Sequence, residues 1–351
     1  MSDRGEQLQA DVAAALAAEQ PLRIAGSGSK AFLGEAGTGG KPLAMTVHSG
    51  IVNYQPSELI VTVRAGTRLA ELQDTLAREG QMLGFEPPHF GASATIGGTI
   101  AAGLSGPARP YAGAARDFVL GCRLINGRAQ VLRFGGEVMK NVAGYDLSRL
   151  MVGAWGTLGV LLDVSLKVLP LPRAQTTLVR PCSAAEAITL FNRWAGKPHP
   201  ISATWWEDGH AYVRLAGAQP AIAAARAALG GDPLEDDADF WAGVREQRRA
   251  FFAGDAPLWR LALAPATPPL ALAGARAIDW GGAQRWLRSE ADAHAIRAAV
   301  AAVGGHASVY RGQATPRFHP LPAGLLTLHR RLKQSLDPAG LFNRGRLYPD
   351  L

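Results

Sequence analysis

The chain has 351 residues, of which 48% are hydrophobic and 19% are charged. This composition is typical of a globular chain of about two domains, and it excludes a disordered one. The 36 basic and 29 acidic residues leave a net charge of +7. Because the arginines are scattered and no basic motif is interleaved with aromatic residues, the sequence predicts no nucleic-acid partner.

The cysteines and the N-terminus limit metal chemistry and location. Cys122 and Cys182 are too few for a four-thiolate zinc site or an iron–sulfur cluster. The N-terminus carries acids where a secretory signal carries bases, and no stretch approaches 18 uninterrupted apolar residues. The sequence therefore predicts a cytoplasmic protein with no metal site of its own, which is peripheral at the inner membrane only indirectly, through partners.

The first elements predicted in chain order are a helix and a strand. Leu8, Val12 and Leu16 recur every four residues and indicate an apolar stripe on a helix that ends before Pro21. The apolar residues 22–25 are typical of a short strand, which leads into a polar loop that contains glycines.

A second strand and a second helix follow. Residues 59–63 are rich in β-branched side chains and indicate a buried strand. Thr67 is a candidate cap for the next helix, which stops at Gly80. The inner side of this helix carries Leu69, Leu72 and Leu76.

A hairpin and a half-buried strand complete the first domain. Residues 118–134 form two β-like runs around Asn126-Gly127, the dipeptide best suited to a type I′ turn. Residues 160–168 alternate apolar and polar side chains, which indicates a strand with one buried face. Pro170 and Pro172 follow at once and mark a domain boundary. We therefore assign residues 1–172 to the first domain.

The remaining sequence predicts a smaller α+β cap domain. Alanine-rich helical stretches at 184–194, 220–229 and 291–303 alternate with short strand-like runs. A last amphipathic helix over 325–336 ends at Asp337-Pro338. We assign residues 173–310 to the cap and residues 311–351 to a segment that returns to the first domain.

Two glycine-bearing loops in the first domain carry groups that bind anions. Residues 26–30 combine two glycines, two serine hydroxyls and Lys30. Thr95 is a candidate cap for a helix whose first turn contains Gly97 and Gly98 and exposes free amides to a phosphate. Together the two loops predict a clasp around a diphosphate.

The spacing of the glycines argues against two other nucleotide sites. The stretch from Gly34 to Lys41 is one residue too long for a Walker loop, and Pro42 follows it. A dinucleotide fingerprint that starts at Gly26 meets alanine at position 31, which is the least specific form of that motif.

Five ordered segments and the C-terminal tail resemble the FAD-binding domain of vanillyl-alcohol-oxidase-type flavoproteins, also called PCMH-type. The segments are LRIAGSGSKAFLG (22–34), PSELIVTVRAG (56–66), TIGGTIAAGLSGP (95–107), RDFVLG (116–121) and KNVAGYDLSRLMVGAWGTLGV (140–160), and the tail is LKQSLDPAGLFNRGR (332–346). Within this family the sequence is similar to the FAD-binding subunits of glycolate oxidases. The resemblance implies an α+β fold, in which a PCMH-type two-subdomain FAD-binding domain precedes the smaller cap.

The resemblance also implies which residues bind the cofactor. The pyrophosphate would be held by Ala25, Gly26, Ser27, Gly28, Ser29 and Lys30. The opposing wall would be formed by Thr95, Ile96, Gly97 and Gly98. The flavin side would be lined by Ser105, Gly106 and Arg109, with Asp117 nearby, and the cofactor-binding set also includes Pro88. The adenosine half would contact Gly156, Thr157, Leu158, Gly159 and Val160.

Some relatives attach FAD covalently through a histidine in the first loop. No histidine lies between positions 23 and 34, so the resemblance predicts a non-covalent, dissociable FAD.

Oxidation of a 2-hydroxy acid such as glycolate needs a cation for the carboxylate, a base near the hydroxyl and an acceptor for the hydride, which the flavin supplies. The candidates for cation and base cluster where the chain returns from the cap. They are Arg311, Arg317, His319, Arg344 and Arg346.

The histidines depart from the pattern of related 2-hydroxy-acid dehydrogenases, which carry a His-x-His metal motif in the cap. None of the eight histidines here has that spacing. Two hypotheses therefore stay open for an FAD-dependent subunit: it binds the substrate itself, or it relays electrons between a second flavoprotein subunit and an iron–sulfur subunit. The alternative from another class is a non-catalytic assembly subunit with a vestigial flavin site.

Overall fold

The computed structural model describes residues 2–136, 146–349 and 351. The chain divides into two compact units. Unit 1 comprises the described residues of 1–105, 114–171 and 320–351, and unit 2 comprises residues 106–113 and 172–319. The second unit thus begins beside the boundary predicted at the proline pair. It also takes in residues 106–113 and runs on to His319, where the sequence predicts a return at 311.

Unit 1 is built on an antiparallel sheet with the strand order β3-β4-β8-β6-β7. Its α-helices in the described residues are α1 (Gly5–Ala17), α2 (Leu69–Arg78), α3 (Ile96–Ala102), α5 (Ala115–Phe118), α6 (Leu147–Leu150) and α11 (Ala323–Leu336). Its strands there are β1 (Leu22–Ala25), β2 (Lys41–Ala44), β3 (Ile51–Gln55), β4 (Ile60–Arg64), β5 (Gln81–Met82), β6 (Val119–Ile125), β7 (Val131–Gly135), β8 (Val160–Lys167) and β9 (Leu169–Pro170). Strands β1 and β2 pair in parallel beside this sheet.

The structure confirms the predicted opening helix and first strand. Leu8 and Val12 of α1 are buried, and Leu16 is partly buried against the same core. β1 follows after Pro21 and places Leu22 in that core. The apolar repeat of four residues was sufficient to predict this helix, because α1 packs against the core along one stripe of side chains.

The cap predicted for α2 is wrong. α2 begins after Arg68, and no side chain caps its first turn. The Thr67 hydroxyl instead accepts a hydrogen bond from the amide of Gly50 at 2.9 Å. The Thr67 hydroxyl therefore binds the loop before β3 instead of capping α2 as the sequence predicts.

The hairpin of β6 and β7 is confirmed, but its turn is not the predicted two-residue type. Ile125 pairs with Val131, so the loop spans residues 126–130. The Asn126 side chain accepts hydrogen bonds from the amides of Arg128 and Gln130. Asn126 therefore organises a longer loop through its side chain rather than through a positive φ angle.

A buried ion pair fastens the C-terminal tail to unit 1. The Lys333 ammonium donates to the Asp337 carboxylate at 2.7 Å and to the carbonyl oxygens of Thr157 at 2.7 Å and Phe342 at 2.9 Å. The same carboxylate accepts hydrogen bonds from the amides of Leu341 and Phe342. This cluster joins α11, the loop before β8 and the tail.

Replacing Lys333 with methionine is expected to lower the free energy of unfolding by about 3 kcal/mol, because the Asp337 carboxylate would stay buried without its cation. Urea unfolding followed by circular dichroism measures the change. Lys41→Met, at an exposed position, is the control and should unfold like the unsubstituted protein. A Lys333→Met variant as stable as that control would contradict the prediction.

Unit 2 is built on an eight-stranded sheet with the order β13-β10-β12-β11-β15-β16-β14-β17, all of whose pairings are antiparallel. Its α-helices are α4 (Arg109–Ala112), α7 (Ala184–Ala195), α8 (Gln219–Leu229), α9 (Asp237–Arg245) and α10 (Ala293–Ala301). Its strands are β10 (Ala174–Pro181), β11 (Ile201–Glu207), β12 (His210–Gly217), β13 (Asp232–Pro233), β14 (Leu258–Ala262), β15 (Ala275–Asp279), β16 (Gln284–Arg288) and β17 (His306–Arg311).

Helices α7, α8 and α10 cover one face of this sheet. Buried side chains of α7 and α8 pack with Val213 and Ile278, and those of α10 pack with Trp259 and Val309. The opposite face carries the alternate residues of the same strands. Helix α9 packs on that opposite face, where Trp241 donates to Thr177 and the Phe240 ring contacts Tyr212. The predicted cap is thus an α+β unit with helices on both faces of its sheet. Within the described residues, no helix is both long and apolar enough to cross a membrane.

Candidate functional site

A cleft of about 360 Å³ opens in unit 1 between β1, the start of α3, the loop before β8 and the C-terminal tail. This volume is within the range of sites for small molecules. The residues of the three loops and the tail that line it are Arg23, Ala25, Gly26, Ser27, Gly28, Ser29, Lys30, Thr95, Gly97, Gly98, Trp155, Gly156, Gly159, Asn343, Arg344 and Arg346. The two predicted anion-binding loops therefore share one cleft.

The loop that follows β1 presents unused backbone donors to the cleft. In the part of the chain that the structure describes, the amides of Ser27, Gly28 and Ser29 donate to no protein acceptor. Gly28 has φ of +80°, and a Cβ atom there would meet nothing within 4 Å. A loop with several unused amides and open space before it has the donors that an anion requires.

The second loop differs from its prediction. The Thr95 hydroxyl caps α3 by accepting from the Gly98 amide at 3.3 Å. The amide of Ile96 donates to Thr67, however, and that of Gly97 to Ala65. These three amides are therefore not free for a phosphate, and the prediction of exposed donors at this helix is wrong.

The glycines of the two loops have a different role, which is to let backbone segments approach their neighbours closely. A Cβ atom on Gly26 would fall well inside van der Waals distance of the Thr95 hydroxyl oxygen. A Cβ atom on Gly97 would lie 2.7 Å from that of Ala65. Glycine therefore lets the first loop rest directly on the capping residue of the second.

Asn343 joins the tail to β1 and to the loop before β8. Its Oδ1 accepts from the Ile24 amide at 2.7 Å, and its Nδ2 donates to the Trp155 carbonyl oxygen at 2.7 Å and to that of Ile24 at 3.3 Å. Leu22 and Phe342 form a parallel bridge next to it. The tail thus continues the β1–β2 pairing and holds the start of the anion-binding loop.

The charges along the cleft have one sign. Arg23, Lys30, Arg344 and Arg346 line it, and no aspartate or glutamate is among its described lining residues. The Lys30 ammonium lies 3.1 Å from the His89 carbonyl oxygen. Four cations without a lining carboxylate favour a ligand that carries negative charge.

Several residues predicted to bind the cofactor do not line this cleft: Pro88, Ile96, Ser105, Gly106, Arg109, Asp117, Thr157, Leu158 and Val160. The Ser105 hydroxyl accepts from the Ala115 amide, and Asp117 accepts from the Ala114 amide. Gly106 and Arg109 belong to unit 2. The other five are buried in unit 1.

The candidates for substrate cation and base are divided between the units. Arg346 donates to the carbonyl oxygens of residues 31, 33 and 35 and lies 5.5 Å from the Trp155 ring, so it holds the loop after the anion-binding segment. Arg344 donates to carbonyl oxygens of residues 339 and 340.

The remaining three candidates belong to unit 2. Arg311 donates to Gln247 at 2.8 Å. His319 accepts from the Ala307 amide at 3.4 Å, and burial lowers the pKa of its imidazole. The carbonyl oxygen of Arg317 accepts from the Val309 amide. Each of these residues therefore makes contacts that fix β17 and the segment after it.

The sequence reasoning missed Asn343, Trp155 and Arg23 as parts of the cleft wall. Asn343 has φ of +39° and Trp155 has φ of +53°. Asparagine tolerates this backbone region better than most residues. All three residues lie in segments that carry the resemblance (22–34, 140–160 and 332–346), and this was the available signal.

Comparison with known proteins agrees with this geometry. Residues 3–135 match the family described as FAD binding domain. Over 349 residues, 99% of both chains, the sequence is 48% identical to glycolate oxidase subunit GlcE of Escherichia coli (strain K12). The chain belongs to the GlcE family. As a member of that family it carries an FAD-binding domain, and FAD is its cofactor.

Two other relatives of this GlcE-family chain match it over less than half of its length. It is 31% identical over 160 residues to glycolate oxidase subunit GlcD of Bacillus subtilis (strain 168), which is 45% of this chain and 34% of that protein. It is 30% identical over 149 residues to a D-lactate dehydrogenase of Anaerostipes hadrus, which is 42% of this chain and 31% of that protein.

A solved structure of alkyldihydroxyacetonephosphate synthase has the same fold as this GlcE-family chain. Its TM-score is 0.66 at 16% sequence identity, and the match covers 96% of this chain and 75% of that one. This likeness confirms the predicted PCMH-type α+β fold.

Proposed function

We propose that this chain is the FAD-binding subunit of a complex that oxidises glycolate, or a similar 2-hydroxy acid, to the 2-oxo acid. The observation that carries the proposal is the cleft of unit 1, which is lined both by the loop with the unused amides of Ser27, Gly28 and Ser29 and by four cationic side chains. The relative with 48% identity over the whole chain is a subunit of glycolate oxidase.

The residues of the cleft fit FAD. Its diphosphate is an anion that accepts several hydrogen bonds, and the loop after β1 supplies amides, two serine hydroxyls and nearby positive charge. Apolar side chains, which include Ile24, Met45 and Leu161, line another part of the cleft and suit an adenine ring. When bound, FAD supplies the acceptor for the hydride of the alcohol, which carries both electrons of the oxidation.

We propose that FAD is bound without a covalent link. The described lining of the cleft is made of glycine, serine, alanine, basic and apolar side chains, and it contains neither histidine nor cysteine. Precipitation of the purified protein with acid should leave the flavin in the supernatant. Flavin that pellets with the polypeptide would contradict this part of the proposal.

The names of two relatives, GlcE and GlcD, designate subunits of glycolate oxidases. We propose that this chain assembles with a second flavoprotein subunit and with an iron–sulfur subunit that accepts the electrons. Its own two cysteines, Cys122 and Cys182, are too few to hold an iron–sulfur cluster, which supports the need for such a partner.

Co-expression with candidate partner subunits tests the proposed function against the assembly alternative. The unsubstituted subunit should yield a yellow complex that reduces a dye when glycolate is added. Gly97→Trp places a large side chain where a Cβ atom would already lie 2.7 Å from that of Ala65, so the variant complex should contain one FAD fewer and lose dye reduction. A pull-down shows whether the variant still assembles. Full activity of an assembled variant complex that contains one FAD fewer would favour the assembly alternative.

A further inference from the structure

The last helix of unit 1, α11, is only partly covered by the unit to which it belongs. Among its 14 residues the buried ones are Lys333 and Leu336, and both lie in its last turn. Leu325 and Leu328, in its first two turns, are 48% and 51% exposed. The second half of α11 is therefore anchored to unit 1, whereas the first half presents apolar side chains to solvent.

The exposed leucines belong to a stripe that unit 1 buries further along the helix. Leucine occupies positions 325, 328, 332 and 336, and spacings of three and four residues place these side chains on one face of α11. Exposure falls along this leucine stripe, since Leu332 is half-buried and Leu336 is 8% exposed. One end of the leucine stripe thus has a packed surface against it, and the other end does not.

The start of α11 has weak local support. Pro322 occupies the N-cap position, and no described side chain caps the first turn. Gly324 lies in that turn, where glycine is among the least favourable residues for a helix. A helix of this length is marginally stable in water unless a packed face supports it. The first two turns should therefore gain stability when another surface covers their leucines.

A groove lies beside the leucine stripe. It has a volume of about 180 Å³, and its lining includes Val152 and Leu158 on one side and Leu332 of the helix on the other. Because the groove and the exposed leucines adjoin each other, a partner that covers the first half of α11 could also insert an apolar side chain here.

The charge beside the leucine stripe has one sign. No aspartate or glutamate occurs between Asp292 and Asp337, so α11 carries none. Arg330 and Arg331 are exposed, and Arg331 follows Leu328 by three positions, which places it next to that leucine on the helix surface. In the part of the chain that the structure describes, no carboxylate pairs with Arg331. Carboxylates on a partner would complement this surface.

We propose that the first half of α11 docks on a partner subunit of the complex, whose surface offers an apolar groove with carboxylates at its rim. A helix that places its apolar face in a groove, with polar contacts at the edge, is a common mode of recognition. This inference rests on the proposed function, which supplies the partner subunits.

Two other occupants suit α11 less well. A second copy of this chain would bring the like charges of two α11 helices together. A helix that lies in a lipid surface buries an apolar face along its length, whereas unit 1 already covers the second half of this one.

Co-expression of the full chain with a second flavoprotein subunit and an iron–sulfur subunit, followed by a pull-down, tests the inference. Leu325→Glu/Leu328→Glu should lower the recovery of partner at least tenfold, because the apolar centre of an interface carries most of the binding energy. Arg331→Glu should lower it less, and its effect should shrink at high salt. Val303→Glu, which changes an apolar residue of unit 2 that is 40% exposed, is the matched control.

The isolated variants show whether the fold is intact. Flavin content and the urea concentration at the midpoint of unfolding should be the same in the double variant and in the unsubstituted chain, because both leucines are exposed. Hydrogen exchange supplies a second readout. The amides of residues 326–332 should exchange at least tenfold more slowly in the complex than in the isolated, FAD-loaded chain.

Each other outcome has a distinct meaning. Normal recovery of partner by the double variant, or equal exchange with and without partners, would overturn the inference and leave the proposed function standing. A dimer of the isolated chain that the double variant makes monomeric would overturn it in favour of a second copy. Flotation of the isolated chain with phosphatidylglycerol vesicles, if lost in the double variant, would overturn it in favour of a lipid surface. Failure of the unsubstituted chain to take up FAD, or to bind either partner subunit, would instead contradict the proposed function.

Discussion

Replacing Gly26 with alanine is expected to weaken FAD binding at least tenfold. The added Cβ atom would clash with the Thr95 hydroxyl oxygen, so the loop after β1 must move away from α3. Its amides would then no longer be positioned to donate to the diphosphate. A tenfold loss corresponds to about 1.4 kcal/mol, which is within the usual cost of overpacking a tight contact. Titration of the apo-protein with FAD, followed by quenching of flavin fluorescence, measures the affinity.

A double variant identifies the contact that is responsible. Thr95→Ala removes the atoms that the new methyl group meets, so Gly26→Ala/Thr95→Ala should bind FAD more tightly than Gly26→Ala alone. Gly324→Ala is the control, because a Cβ atom at that position would meet nothing within 4 Å. FAD affinity unchanged in Gly26→Ala would show that the two loops do not form the diphosphate site.

Asn343→Leu is expected to weaken FAD binding between about tenfold and a hundredfold and to lower the free energy of unfolding by about 2 kcal/mol. The variant leaves the Ile24 amide and the Trp155 carbonyl oxygen without the partner that they share. It also places a branched side chain at φ of +39°, which leucine tolerates poorly. FAD titration and urea unfolding of the apo-protein give the two values independently.

Asn343→Asp separates the acceptor role of the Asn343 side chain from its donor role. Aspartate keeps the acceptor for the Ile24 amide and tolerates the backbone conformation, but it cannot donate to Trp155 and adds a negative charge to the cleft. We expect FAD affinity to fall while stability changes less than in Asn343→Leu. Asn192→Asp is the control, since Asn192 makes comparable hydrogen bonds to carbonyl oxygens within unit 2. Normal FAD affinity in Asn343→Leu would mean that the tail does not shape the cofactor site.

Local patterns were sufficient to determine much of unit 1 from the sequence. The stripe of Leu8 and Val12, the strand at residues 22–25 and the final helix each depend on neighbours within a few positions, so a short window contains the whole signal. The prediction that the amides of the glycine and serine loop after β1 bind a diphosphate depends on a local pattern of the same kind. The fold family and FAD as cofactor also followed from ordered segments that the sequence displays directly.

Only the tertiary structure decided which donors and charges face the cleft. The amides at the start of α3 were expected to be free, but they are taken by Thr67 and Ala65, which approach from the preceding strand and turn. Asn343 bonds to Ile24 across 319 positions. The sequence specifies which polar groups the chain contains. Whether a given group is already satisfied by a distant one depends on long-range packing, which a local pattern does not contain.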